Sequence, residues 1–406
     1  MIQRVVRQIR SADISDDIII ATGANQKDLI ENQLGSGIPV ITEPCRRDTF
    51  PAIILACSYL ASIGTDMNEP VIVMPCDQYA EDKYFTVVKK MGEGIVQGVA
   101  ELLLMGIKPA YPSSKYGYIV PDFSQEVYDG IIRVGRFAEK PEVGEAQRII
   151  DEGALWNGGV FAFRLGYLMG IANKYAGKKD FDTIRNHYSE LPKISFDYEV
   201  VEKAQSVAAI EYDGQWKDLG TWDTLTGELN SNVYGKVLAE SINETYVINE
   251  LDIPITVIGA NGLVIAASHD GILVSDRKSS ENLKHLVSKI EDRPMYEERR
   301  WGEYKVIDNV KFPDGSCALT KQLTLNPGRF ISYQRHQYRD EIWTFIDGEG
   351  EIVLNGTRSL VKRGDVITIP KGCLHALRAM TSLSFIEVQQ GTDLIEEDIE
   401  RFDWEW

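Results

Sequence analysis

Over roughly the first 230 residues, short apolar runs alternate with longer amphipathic stretches. Residues 17–22 form an apolar run of strand length, and residues 25–34 carry helical spacing. A strand is predicted at 40–42, entered through Pro39, then a helix at 51–61 opened by Pro51, then a strand at 70–74. Residues 2–9, at the head of the chain, read as a helix. This strand–helix rhythm predicts a Rossmann-like, three-layer α/β sheet with mainly parallel strands. Beyond 231 the rhythm changes: short strands are predicted at 246–248, 255–258 and 263–266, and a helix at 279–290. The charged run 291–300 is predicted to be a linker. Residues 301–406 then carry strands punctuated by Gly and Pro turns, the pattern of an all-β barrel. The expected division is therefore 1–231, 232–290, 291–300 and 301–406.

Composition narrows the function more than the fold. The 406 residues are 44% hydrophobic and 26% charged, ordinary for a globular protein with sizeable cores. A formal charge of −18 argues against a nucleic-acid-binding face. No apolar run reaches the ~18 residues of a membrane span, and no signal-peptide pattern opens the chain. The five cysteines are scattered without CxxC spacing, which favours reduced thiols and a cytoplasmic location.

Two regions carry chemistry. In the last, Gly328 is followed by Gln334-Arg335-His336, Glu341 and Gly348, and a second block runs Gly364, Pro370-Lys371-Gly372, His375. Gln334 and His336 lie two apart and share a face of a strand. With Glu341 and His375 they make a donor set suited to Zn²⁺ or another divalent transition metal. The spacing is that of a cupin barrel, with Gln in place of the usual first His.

In the first region, Met74-Pro75-Cys76-Asp77 puts a carboxylate just past the end of an apolar strand, where open α/β sheets bind ligands. Trp216-Lys217-Asp218 supplies a second carboxylate far away in sequence. Two such groups holding Mg²⁺ against a triphosphate suit nucleotidyl transfer. Between them lie Tyr116-Gly117-Tyr118-Ile119, Phe137-Ala138-Glu139-Lys140-Pro141 and Trp156-Asn157-Gly158-Gly159. Glu139 and Asn157 offer hydrogen bonds to a sugar, Lys140 a point charge to a phosphate, and Gly117 close backbone approach. Taken singly, Asp77 and Asp218 are as well explained as turn residues. Trp156 and Trp216 serve core packing as readily as sugar stacking.

In this order and spacing the motifs resemble those of the bacterial mannose-1-phosphate guanylyltransferases, sugar-phosphate nucleotidylyltransferases that often carry a C-terminal cupin related to type II mannose-6-phosphate isomerase. The likeness runs from about residue 3 to the end, and 43–52, Glu-Pro-Cys-Arg-Arg-Asp-Thr-Phe-Pro-Ala, matches the family's EPxxRNTAPA element with Asp48 for Asn and Phe50 for Ala. The resemblance implies conversion of GTP and mannose 1-phosphate to GDP-mannose and pyrophosphate. It implies Asp77 and Asp218 as Mg²⁺ ligands, Glu139, Lys140 and Asn157 on the sugar phosphate, and Arg47, Asp48 and Thr49 near the base. Guanine presents two adjacent donors, N1–H and N2–H₂, that a carboxylate at Asp48 accepts and adenine lacks. Asp48 is therefore expected to favour GTP.

The isomerase signature QxHHHRxEHW reads here Gln334-Arg335-His336-Gln337-Tyr338-Arg339-Asp340-Glu341-Ile342-Trp343. The ligands and Arg339 survive, and Ile342 replaces a His that acid–base chemistry would use. Arg339 and, near the end, Arg401 are candidates for a substrate phosphate. The family begins with a strand and a GGxGxRLxP loop that wraps the triphosphate, whereas this sequence starts at the helix that follows. Either the gene is longer than this start, or the nucleotide loop is lost and little transfer is expected. Three functions remain in view: a guanylyltransferase, an isomerase carried by the cupin, and a non-catalytic sugar-nucleotide-binding subunit. The chain is expected to form a homo-oligomer.

Overall fold

The structure, a computed structural model, describes residues 1–35, 37–176, 180–396 and 398–406. Two compact units divide the chain, Met1–Gly220 and Thr221–Trp406.

In the first unit the predicted elements appear close to their expected bounds, as the helix Ile2–Ser11, strand Ile20–Gly23, helix Lys27–Leu34, strand Val40–Glu43, helix Thr49–Ser62 and strand Pro70–Val73. The central sheet has six strands in the order Pro70–Val73, Leu155–Arg164, Leu102–Ile107, Val207–Tyr212, Ile131–Ala138, Tyr118–Tyr128. Four of them run one way, while Leu155–Arg164 and Ile131–Ala138 run against them. The common direction expected from sequence holds for those four, yet most neighbouring pairs are antiparallel. Apolar runs report burial, not direction, so the two reversals leave no trace in the pattern. Leu102–Ile107 is buried at every position and shows why the unit has three layers. Leu102 and Leu104 face a core with the helices Thr49–Ser62 and Leu165–Ala176, and Leu103 and Met105 face another with the helix Asp82–Val96.

In the second unit, short strands stack as parallel rungs: Val233–Tyr234, Tyr246–Asn249 and Leu263–Ser268 on one side, Val237–Glu240 and Ile255–Ile258 on another. The helix predicted at 279–290 is a 3₁₀ segment, Lys278–Asn282, and one α-turn, Lys284–Val287. Part of the predicted linker is structured, because Tyr296–Arg299 is an edge strand paired with Gly302–Lys311. Its sequence, Tyr-Glu-Glu-Arg, carries no apolar alternation to mark a strand. The barrel itself is two antiparallel sheets of six and five strands. Its core holds Trp343, Phe345, Leu377 and Phe385, all buried. Among the described residues no helix is long and apolar enough to cross a membrane.

Candidate active site and barrel centre

The strand Pro70–Val73 delivers Asp77 into a bend, after which Gln78–Ala80 pairs antiparallel with Trp216–Asp218. Asp218 lies opposite Gln78, the residue that follows Asp77, so the two aspartates come close along the backbone. Asp77 is exposed and Asp218 half-buried, with its Oδ1 accepting from the Gly220 amide at 2.8 Å. Two oxygen-only side chains so placed have the donor chemistry a hard divalent ion requires. Burial and the neighbouring Asp77 charge push the Cys76 thiol up.

Sequence reasoning missed Gln78. Its Nε2 donates to Gly158 O at 3.0 Å, and its Oε1 accepts from Trp216 Nε1 at 2.9 Å and Tyr84 OH at 3.1 Å. One amide thus ties the Asp77 bend to the Asp218 strand and to Asn157–Gly158 in the strand Leu155–Arg164. Trp156 is buried and donates to Tyr118 OH at 3.1 Å, which makes it a core residue. Trp216 is half-buried against Tyr116, ring centroids 5.7 Å apart.

Gly117, Glu139, Lys140 and Asn157 come together. The Asn157 amide donates to Gly117 O at 2.7 Å, and a Cβ at Gly117 would lie 2.5 Å from Glu139 Oε2. Glycine is required there because the Glu139 carboxylate occupies the space. Glu139 is almost fully buried and pairs with Lys140 Nζ at 2.9 Å, an interaction that holds the ammonium protonated. Lys140 adopts φ +47°, an uncommon region for a side-chain-bearing residue. Asp197, unassigned from sequence, joins them: its Oδ1 accepts from Asn157 Nδ2 at 2.5 Å. Burial and then the Glu139 charge push its carboxyl up to about 6.

Arg47, Asp48 and Thr49 sit at the head of the helix Thr49–Ser62. Asp48 has φ +71° and caps that helix, Oδ1 accepting from the Thr49 amide at 2.7 Å. One of its oxygens is thereby committed, a role the sequence did not reveal. Thr49 Oγ1 accepts from the Phe196 amide at 2.8 Å, and Arg47 donates to Ser189 O, so this element is tied to the segment that carries Asp197.

At the barrel centre Gln334, His336, Arg339, Glu341 and His375 are all buried. The ligand atoms of His336, Glu341 and His375 lie within 4.8 Å of one another. Gln334 pairs with His375 across the sheet, and its Oε1 accepts from Ser332 at 3.0 Å. Each imidazole turns Nδ1 to a backbone carbonyl, His336 to Asp398 O at 2.5 Å and His375 to Cys373 O at 3.0 Å. Both Nε2 lone pairs therefore face the centre, where His375 Nε2 is buried without a partner. Burial lowers both imidazoles, His375 to about 4. Neutral rings of fixed tautomer beside a carboxylate fit a divalent transition metal.

Arg339 donates through Nε to Glu341 at 2.8 Å, whereas Arg401 is exposed on Glu400–Phe402. The departures from the isomerase signature fall away from this centre. Gln337 and Tyr338 are exposed, and the pleat turns Ile342 outward between inward-facing Glu341 and Trp343. The expectation that Ile342 removes acid–base chemistry from the site is therefore corrected. Position 342 does not face it.

Residues 1–232 match the family model described as nucleotidyl transferase, and residues 290–404 the one described as mannose-6-phosphate isomerase C-terminal. The chain belongs to the nucleotidyl transferase family. This nucleotidyl transferase is 30% identical over 400 residues to the xanthan biosynthesis protein XanB of Xanthomonas campestris pv. campestris, covering 90% of this chain and 82% of that one. It is 29% identical over 441 residues to the mannose-1-phosphate guanylyltransferase RfbM of Salmonella typhimurium, covering 99% and 90%. Among solved structures it resembles one named mannose-1-phosphate geranyltransferase from Thermus thermophilus, with TM-score 0.59, 25% identity and coverage of 72% and 89%.

Proposed function

We propose that this nucleotidyl transferase is a mannose-1-phosphate guanylyltransferase, joining GTP and mannose 1-phosphate to give GDP-mannose and pyrophosphate. The observation that carries the reading is the meeting of Gly117, Glu139, Asn157 and Lys140 at one place, with Gln78 joining Asn157–Gly158 to the strand of Asp218. In this reading Glu139 and Asn157 hold sugar hydroxyls, and Lys140 draws the 1-phosphate toward the α-phosphorus by charge. Asp77 and Asp218 would hold Mg²⁺, which when bound neutralises the triphosphate charge. The free oxygen of Asp48 faces guanine in the proposal. A GTP substrate is in keeping with a cytoplasmic location. The test is pyrophosphate release dependent on both GTP and mannose 1-phosphate. Its loss in Asp218→Asn supports the reading, and release without the sugar phosphate contradicts it.

A second activity is favoured by one observation, the unpartnered Nε2 of His375 facing His336 and Glu341. The barrel would hold Zn²⁺ or a similar ion through Gln334, His336, Glu341 and His375 and act on mannose 6-phosphate as an isomerase. Formation of fructose 6-phosphate, abolished in His375→Ala, is its test.

A further inference from the structure

Asp197 begins a π-helical turn, Asp197–Val201, an irregularity that recurs at functional sites. The turn carries the carboxylate to Asn157, while Glu139 approaches from the end of the strand Ile131–Ala138. Glu139 and Lys140 are the charged groups acting on Asp197, so two carboxylates share the neighbourhood of one cation, whose ammonium rests on Glu139. Among the described residues no other side chain donates to the Asp197 carboxylate besides Asn157, which leaves acceptor capacity open. Asn157 has part of its capacity taken, its Oδ1 accepting from the Gly159 amide at 3.2 Å while its Nδ2 reaches Asp197, and it keeps a second amide hydrogen for a sugar oxygen. The groups left to accept from a ligand are thus mainly carboxylate oxygens. A like-charged pair is relieved by a ligand that supplies O–H donors, and each such contact is charge-assisted.

We infer that Asp197 is a specificity-determining residue which, paired with Glu139, accepts hydrogen bonds from ring hydroxyls of the hexose 1-phosphate. The inference rests on the sugar-phosphate reading above and adds to it a residue from a different element. Because carboxylates only accept, the pair selects sugars with free hydroxyls at the matching carbons and rejects ligands that present acceptors there. An amide at 197 would keep the bond from Asn157 Nδ2 through its own Oδ1 but turn an N–H₂ toward the sugar.

The experiment is calorimetric titration of wild type, Asp197→Asn and Asp197→Ala with mannose 1-phosphate, with its 2-, 3-, 4- and 6-deoxy analogues, and with GTP. Both variants are expected to bind mannose 1-phosphate at least tenfold more weakly, with GTP affinity within twofold of wild type. Removal of one particular hydroxyl is expected to weaken wild type strongly and the variants hardly at all. That coupling to a single hydroxyl is something a merely structural role would not produce. Equal losses in wild type and variants for every analogue would overturn the assignment of Asp197 while leaving the sugar-phosphate reading intact. A wild type that binds GTP but no hexose phosphate would overturn both.

Discussion

Gly117→Ala is a one-methyl perturbation aimed at the proposed sugar site. The added Cβ would stand 2.5 Å from Glu139 Oε2, 2.8 Å from Phe137 Cζ and 3.5 Å from Asn157 Cβ. Ordinary contact is about 3.5 Å, so the Glu139 carboxylate must withdraw by about 1 Å. It cannot do so freely, being almost fully buried and paired with Lys140. Overpacking of this kind costs about 1–2 kcal/mol, roughly 3–6 °C in Tm for a domain of this size. The functional loss should be larger, since a misplacement of about 1 Å can cost 10²-fold. KM for mannose 1-phosphate is expected to rise at least tenfold while KM for GTP stays within twofold. Gly94→Ala is the control, because its Cβ meets Ile131 and Leu103 at 2.8 and 2.9 Å, in the core and away from the cluster. An unchanged sugar KM in Gly117→Ala, with Tm lowered as in Gly94→Ala, would refute the role given to Glu139.

Asp48→Ala should lower Tm through loss of the cap and reduce GTP-over-ATP selectivity by one to two orders of magnitude, about 1–3 kcal/mol. Asp48→Asn, which restores the residue the family carries there, should keep the Tm, and equal loss with both nucleotides in Asp48→Ala would exclude a base contact. Asp197 faces Glu139, Lys140 and Asn157, and its carboxyl titrates near 6 rather than 3.8. The folded protein therefore holds that proton more tightly, and the group's contribution is full below pH 4 and lost as pH rises through 6. Asp197→Asn should accordingly be more stable than wild type at pH 8 by about 1–2 kcal/mol, a gain that fades toward pH 4 in thermal melts. His375→Ala should abolish tight Co²⁺ or Zn²⁺ binding, read by equilibrium dialysis, with guanylyl transfer unchanged.

What the sequence disclosed was whatever lies close along the chain. The spacing of Gln334, His336, Glu341 and His375 is local to strands, so the barrel centre was readable from side-chain alternation. In the first unit the helix bounds were nearly right because Pro51 and the apolar periodicity act within one turn, whereas the helix expected at 279–290 is broken into a 3₁₀ segment and one α-turn. Asp197 was hidden for the opposite reason. It stands in the run Phe196-Asp197-Tyr198-Glu199, where no single residue marks it out, and its partners are Glu139 and Asn157, far back in the chain. Gln78 escaped notice because a hub of neutral hydrogen bonds has no motif. Ile342 was misjudged from a motif position alone, although the same two-residue alternation that found the ligands would have placed it outside.

The most direct test of the central claim, that Asp77 and Asp218 hold one divalent ion beside the sugar cluster, is anomalous diffraction from crystals soaked with Mn²⁺ and GDP-mannose. A manganese peak bonded to both carboxylates, with the hexose against Glu139 and Asn157, is the expected result. A peak that touches neither aspartate, or a hexose bound elsewhere, would contradict it.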